Sequence, residues 1–177
     1  MSKKLIKFIT KEEYYKLQEY VKKNKPCNYE QYSLAIMLGF EAGIRISEIV
    51  GYIDRVPKLS IDKINIKANT IRIEQGKGQK DRIVPLPKNF KQKHLQMLPI
   101  SLSRRSLQDF IIKTGYKALN KKLNFHMLRH GFGSHLAASG RPLHEIQMLM
   151  GHSRLDTTGI YLHANPKKAI EGAREVF

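Results

Sequence analysis

Apolar positions follow a helical spacing at both ends of the chain and a two-residue spacing in the middle. Thr10 followed by Glu13 has the form of a capping box and predicts a helix over residues 11–23, with Pro26 as its breaker. A second helix is predicted over residues 29–42, where Tyr32, Ala35, Ile36 and Phe40 form the buried face and Gly43 supplies the stop. The period then shortens. Ile64 and Ile66, Ile71 and Ile73, and Ile83 with Val84 mark three short strands. Lys67-Ala68-Asn69 and Gly76-Lys77-Gly78-Gln79-Lys80 are the turns between them. After Pro85 and Pro87 the helical period returns, predicting helices over 89–97, 105–119, 125–138, 143–150, 154–161 and 167–176. Gly140, Pro142, Gly151 and Pro166 punctuate this run where starts and stops are needed. The expected fold is mostly α with one small three-stranded antiparallel sheet, a single domain over residues 1–177 ending in a tail helix at about 166–177.

Composition sharpens this picture. In 177 residues, 41% hydrophobic and 27% charged positions describe a globular chain and exclude a disordered one. Lys and Arg number 32 against 15 acids, a net charge of +17, which points to a polyanionic partner, with nucleic acid the commonest. The lone Cys27 excludes a disulfide framework and any multi-cysteine metal site. Met1 to Lys7 carries charge without an apolar stretch behind it, and no run approaches the roughly 20 apolar residues of a membrane span. A cytoplasmic or nucleoid-associated protein with no membrane partner is expected.

Three segments could carry chemistry. His126 and Arg129, at i, i+3, share a helix face and could converge on one anion, with a neutral imidazole available as proton acceptor. In isolation such a pair is better read as part of a capped helix with ordinary solvated side chains. His126, His130, His135, His152 and His163 invite a zinc reading, but Met127, Leu128 and Arg129 fill the interval where a zinc protease keeps its glutamate, and an arginine repels a cation. No metal and no cofactor are expected. Gly76-Lys77-Gly78 lacks the Lys-Ser/Thr ending of a nucleotide loop and lies between strands, so it reads as a turn presenting a lysine. Residues 142–161 could also pass for a helix-turn-helix reader.

Taken together, the segments resemble the tyrosine recombinase family of phage integrases and Xer proteins, in its catalytic domain. Gly43-Ile44-Arg45-Ile46-Ser47-Glu48-Ile49 is similar to the family's first arginine box, and Gln75 to Leu86 to its β-hairpin lysine segment. His126-Met127-Leu128-Arg129-His130-Gly131-Phe132 resembles the His-x-x-Arg box, Leu149 to Ser153 the later histidine, and Asp156 to Tyr161 the nucleophile segment. The five motifs, from Gly43 to Tyr161, stand in the family's order, and the resemblance covers nearly the whole chain from about Thr10 onward.

The resemblance implies a catalytic set of Arg45, Lys77, His126, Arg129, His152 and Tyr161, with Glu48 in support. Tyr161 is the implied nucleophile, forming a 3′-phosphotyrosyl link and freeing a 5′-hydroxyl. His126 takes the phenolic proton, His152 donates to the phosphate and Lys77 protonates the leaving oxygen; Lys80, in the same turn, is the rival of Lys77. Making a phenolate near neutral pH costs about 4 kcal/mol, which the Arg45 and Arg129 cations can offset while their planar forks match phosphate oxygens. The implied partners are double-stranded DNA and further copies of the chain on it, up to a tetramer, joined through the tail. That tail carries an apolar stripe of Ala169, Ile170, Ala173, Val176 and Phe177, which docking on its own domain would bury as well. Only nine residues precede Thr10, so the family's separate core-binding domain is expected to be absent. Two other outcomes share the fold: relaxation of the type IB topoisomerase kind, if the same strand rejoins, and a non-catalytic, regulatory DNA-binding protein.

Overall fold

The computed structural model describes residues 7–52, 56, 58–74 and 81–151. Helix α1, Lys11–Asn24, opens on the expected capping box: Thr10 Oγ1 accepts from the Glu13 amide at 3.2 Å, and Glu13 Oε2 accepts from the Thr10 amide at 3.0 Å. It runs one residue further than expected and ends where Lys25 turns left-handed ahead of Pro26. Helix α2, Tyr29–Glu41, is buried continuously from Leu34 to Phe40 and forms the centre of the core. It packs against α1 on one side and α6 on the other.

A short helix, α3 at Ile46–Val50, follows where no element was expected. Five residues are too few to display a helical period. Strands β1, β2 and β3 at Ile64–Asn65, Thr70–Ile73 and Arg82–Pro85 then form the expected antiparallel sheet in the order β1-β2-β3. Ile71 pairs with Ile64 on one side and Val84 on the other, while Ile73 pairs with Arg82. Ile66 lies outside the strand and is exposed. Helix α4 spans only Gln92–Leu95, a single turn in place of the nine residues expected at 89–97.

Helix α5, Arg104–Leu119, starts on a Ser103 cap, and α6, Phe125–Ala138, on an Asn124 cap whose side chain accepts from the Met127 amide at 3.0 Å. Helix α7, Leu143–Met150, ends at Gly151 in the left-handed region. Phe132, Ile146 and Met150 form a small cluster of their own that seats α7 on α6. At about 1.5–3 kcal/mol for each fully buried large apolar side chain, this fixes where the last turn of α7 lies. The helices expected at 154–161 and 167–176 fall outside the described residues, as does the whole second hairpin turn, residues 76–80, with its Lys77 and Lys80.

Candidate active site

Arg45 stands just ahead of α3. An arginine has no acceptor and cannot cap a helix itself, so the return contact does the capping: Glu48 Oε2 accepts from the Arg45 amide at 2.7 Å. The other face of that carboxylate holds the side chain, Arg45 Nη1 donating to Glu48 Oε1 at 2.8 Å. Glu48 also receives a second guanidinium, from β3, with Arg82 Nη1 donating to Oε1 at 2.7 Å and Nη2 to Oε2 at 2.8 Å. Both partners are buried. Burial alone would push the Glu48 carboxyl up, yet the Arg82 hydrogen bonds and the charges of Arg82 and Arg45 hold it down at about 2.

Arg129 projects from α6 and is 1% exposed. Its Nη1 donates to the Gly43 carbonyl at 2.5 Å and its Nη2 to the Met150 carbonyl. Gly43 can present its carbonyl because its φ is +65°, and a Cβ there would lie 2.4 Å from the Phe132 ring. One turn earlier on α6, His126 stands at the solvent edge, its ring centroid 4.3 Å from that of His130. Lost hydration, followed by the charges of Arg129 and Arg45, lowers the His126 pKa. His130 is pushed down to about 4, mainly by burial and then by His126 and Arg129. Both imidazoles are therefore neutral at pH 7, the state in which one can accept a proton.

Arg45, His126 and Arg129 line one cleft of about 370 Å³. The guanidiniums of Arg45, Arg82, Arg104 and Arg129 and the Glu48 carboxylate lie at the cleft or are bonded to its residues, leaving three positive charges, so the cleft favours an anion with oxygens spread over several donors. Arg104 also lines it, from the first turn of α5, with its guanidinium carbon 5.3 Å from the centre of the Tyr52 ring. Two roomier hollows, of about 480 and 940 Å³, contain no such convergence of arginines and histidine. Among the described residues, no three His, Cys, Asp or Glu side chains gather as a metal site would require.

Of the residues expected from sequence, Arg45, Glu48, His126 and Arg129 thus meet around one cleft, while Lys77, His152 and Tyr161 lie outside the described residues. Arg82 and Arg104 were missed. Arg82 had a legible signal: counting by twos from buried Val84 puts it on the core face, where a charge has to be paired. Arg104 had none, because its place follows from how α5 meets the loop holding Tyr52.

The profile described as the phage integrase family matches residues 7–168. The tyrosine recombinase XerA of Pyrococcus furiosus is 30% identical over 191 residues, which cover 97% of this chain and 63% of that relative; the chain therefore spans less than two thirds of its length. The crystal structure of the XerH site-specific recombinase bound to its difH substrate, a pre-cleavage complex, superposes with a TM-score of 0.69 at 25% identity, covering 97% of this chain and 54% of that one. The catalytic domain of bacteriophage HP1 integrase has the same fold, with a TM-score of 0.65 at 20% identity over 96% of this chain and 94% of that one.

Proposed function

Because the chain belongs to the phage integrase family, we propose that it is the catalytic domain of a site-specific DNA recombinase, a tyrosine-type strand transferase. The observation that carries this reading is the convergence of Arg45, His126 and Arg129 on one cationic cleft, where lost hydration and the arginine charges lower the His126 pKa. In the proposed reaction Tyr161 Oη attacks a backbone phosphorus. A P–O bond to tyrosine forms, the P–O5′ bond breaks, the phenolic proton passes to His126, and Lys77 protonates the departing 5′ oxygen. Arg45 and Arg129 stabilise the charge that grows on the non-bridging oxygens, and His152 donates to one of them. A 5′-hydroxyl from another strand then reverses the step. The bond energy is kept in the phosphotyrosine, so rejoining requires no nucleotide.

The proposed substrate is double-stranded DNA, for which the net charge of +17 supplies the attraction. Copies of the chain are proposed to assemble on paired sites through the tail, whose apolar stripe at residues 169–177 is too short to be stable alone and must be covered.

A duplex nicked near the cleavage position tests the reaction, because loss of the short fragment traps the covalent intermediate. The wild-type chain should become attached to DNA, whereas Tyr161→Phe should bind DNA and form no adduct. Adduct formation by that variant would remove Tyr161 as the nucleophile. Absence of adduct from the wild type on any DNA it binds would favour a non-catalytic DNA-binding protein.

A further inference from the structure

Helix α7 ends in a pattern that the reaction described above does not use. The last carbonyls of a helix have no partner within it, and the helix dipole makes that end negative. Here three successive carbonyls are each taken by a different arginine. Arg82 Nε donates to Leu149 O at 2.9 Å, Arg129 Nη2 donates to Met150 O, and Arg45 Nη2 donates to Gly151 O at 2.9 Å. The three arginines come from β3, α6 and the start of α3. Two of them line the cleft; Arg82 is 6% exposed and is not among the residues that line it.

Arg82 is the member that joins the parts. Its two terminal nitrogens hold both oxygens of Glu48, the same carboxylate that grips the side chain and amide of Arg45, while its Nε holds α7. All three contacts use the rigid fork of one guanidinium. A lysine ammonium keeps the charge but is a single point on a flexible stem and cannot span the carboxylate and the carbonyl together. We propose that Arg82 is a positioning residue for strand cleavage, locking Glu48 to the end of α7 and so setting where Arg45 presents its guanidinium to the scissile phosphate. The same contact fixes Leu149, three residues ahead of His152 in the sequence. This inference rests on the strand-transferase reading.

The test uses the full chain on the nicked duplex, with single-turnover cleavage at saturating DNA and the DNA Kd measured separately. Arg82→Lys should cleave about 10- to 100-fold more slowly, the range for residues that orient a functional ligand from behind, with Kd within about 3-fold of wild type. Because Arg82 acts through Arg45, the double variant R45A/R82K should be no slower than R45A alone, within about 3-fold. A residue serving only stability would lower the melting temperature, and its effect would multiply with that of R45A. If R82K does not fold by circular dichroism, Glu48→Gln, which weakens the same link from the other side, is read by the same criteria. Cleavage by R82K within about 2-fold of wild type, a loss confined to Kd, or losses that multiply with R45A would each overturn the proposal. Failure of the wild type to form an adduct would overturn the strand-transferase reading itself, so the two failures are distinguishable.

Discussion

Glu48 is one acid held between two arginines, and its ionisation decides whether Arg45 and Arg82 stay linked. Burial raises its pKa, and the Arg82 hydrogen bonds with the two neighbouring charges more than reverse that, from an ordinary 4.5 to about 2. A carboxyl whose folded pKa is depressed contributes stability that is present above its unfolded pKa and lost as pH falls through the folded one. For Glu48 the window runs from about pH 4.5 down to about 2, and the contribution is on the order of 3 kcal/mol. His130 acts at higher pH. Its folded pKa is also depressed, from 6.5 to about 4, chiefly by burial, so it costs stability as pH drops through that interval because the unfolded chain takes up the proton more readily. Denaturant unfolding followed from pH 7 to pH 2 should therefore show two successive losses. Glu48→Gln should erase the lower one and leave the upper in place; a lower loss of unchanged size in that variant would show that other carboxyls cause it. The variant should also be less stable at pH 7, since it leaves Arg82 buried without its carboxylate.

The way helices meet places the cleft arginines, and the tightest of these junctions is Gly43. It leaves α2, takes a φ of +65° against Phe132 of α6, and turns its carbonyl onto Arg129. An alanine there meets both a disfavoured backbone and the Phe132 ring, so Gly43→Ala should cost about 1–3 kcal/mol in denaturant melts. It should also slow cleavage at temperatures where the fold is intact, because the Arg129 acceptor moves with it. A variant that loses stability and keeps the wild-type cleavage rate would separate Gly43 from the site. Elements with a cap or stop residue were legible from sequence: α1 through Thr10 and Glu13, α6 from 125 to 138, and α7 through Pro142 and Gly151. Helix α3 was not, because it has five residues and a capping contact from a side chain that also binds two arginines. Helix α4 was overextended because its neighbours form isolated turns, such as Phe90 N to Pro87 O, whose composition matches a helix. In the site, Arg45, His126 and Arg129 were legible because they stand in ordered motifs. Arg82 follows Lys80 and Asp81 and reads as one more charge in a polar turn until the pleat is counted.

At the scale of the whole molecule, charge is the dominant feature. The 15 acids cannot neutralise 32 basic residues, and several are already committed, Glu48 to Arg45 and Arg82, Glu74 to Lys63, Asp81 to Arg72, and Glu13 to Lys121. The net charge of +17 therefore has to be met by something outside the chain, and mobile salt ions do so until a polyanion displaces them. DNA binding releases the cations condensed on its phosphates, so log K should fall linearly with log salt at a slope near −0.9 per phosphate contacted. If the cleft takes one phosphate, as the proposed reaction requires, and the net charge of +17 draws in others, five or more contacts are expected, hence a slope of about −4.5 or steeper. Fluorescence anisotropy on a short duplex between roughly 50 and 200 mM salt reads this directly, and over that range affinity should drop several hundredfold or more. Tyr161→Phe should give the same slope, because it removes a nucleophile and no charge. A slope shallower than about −2 would mean that only the cleft touches DNA and that the remaining positive surface serves a different polyanion.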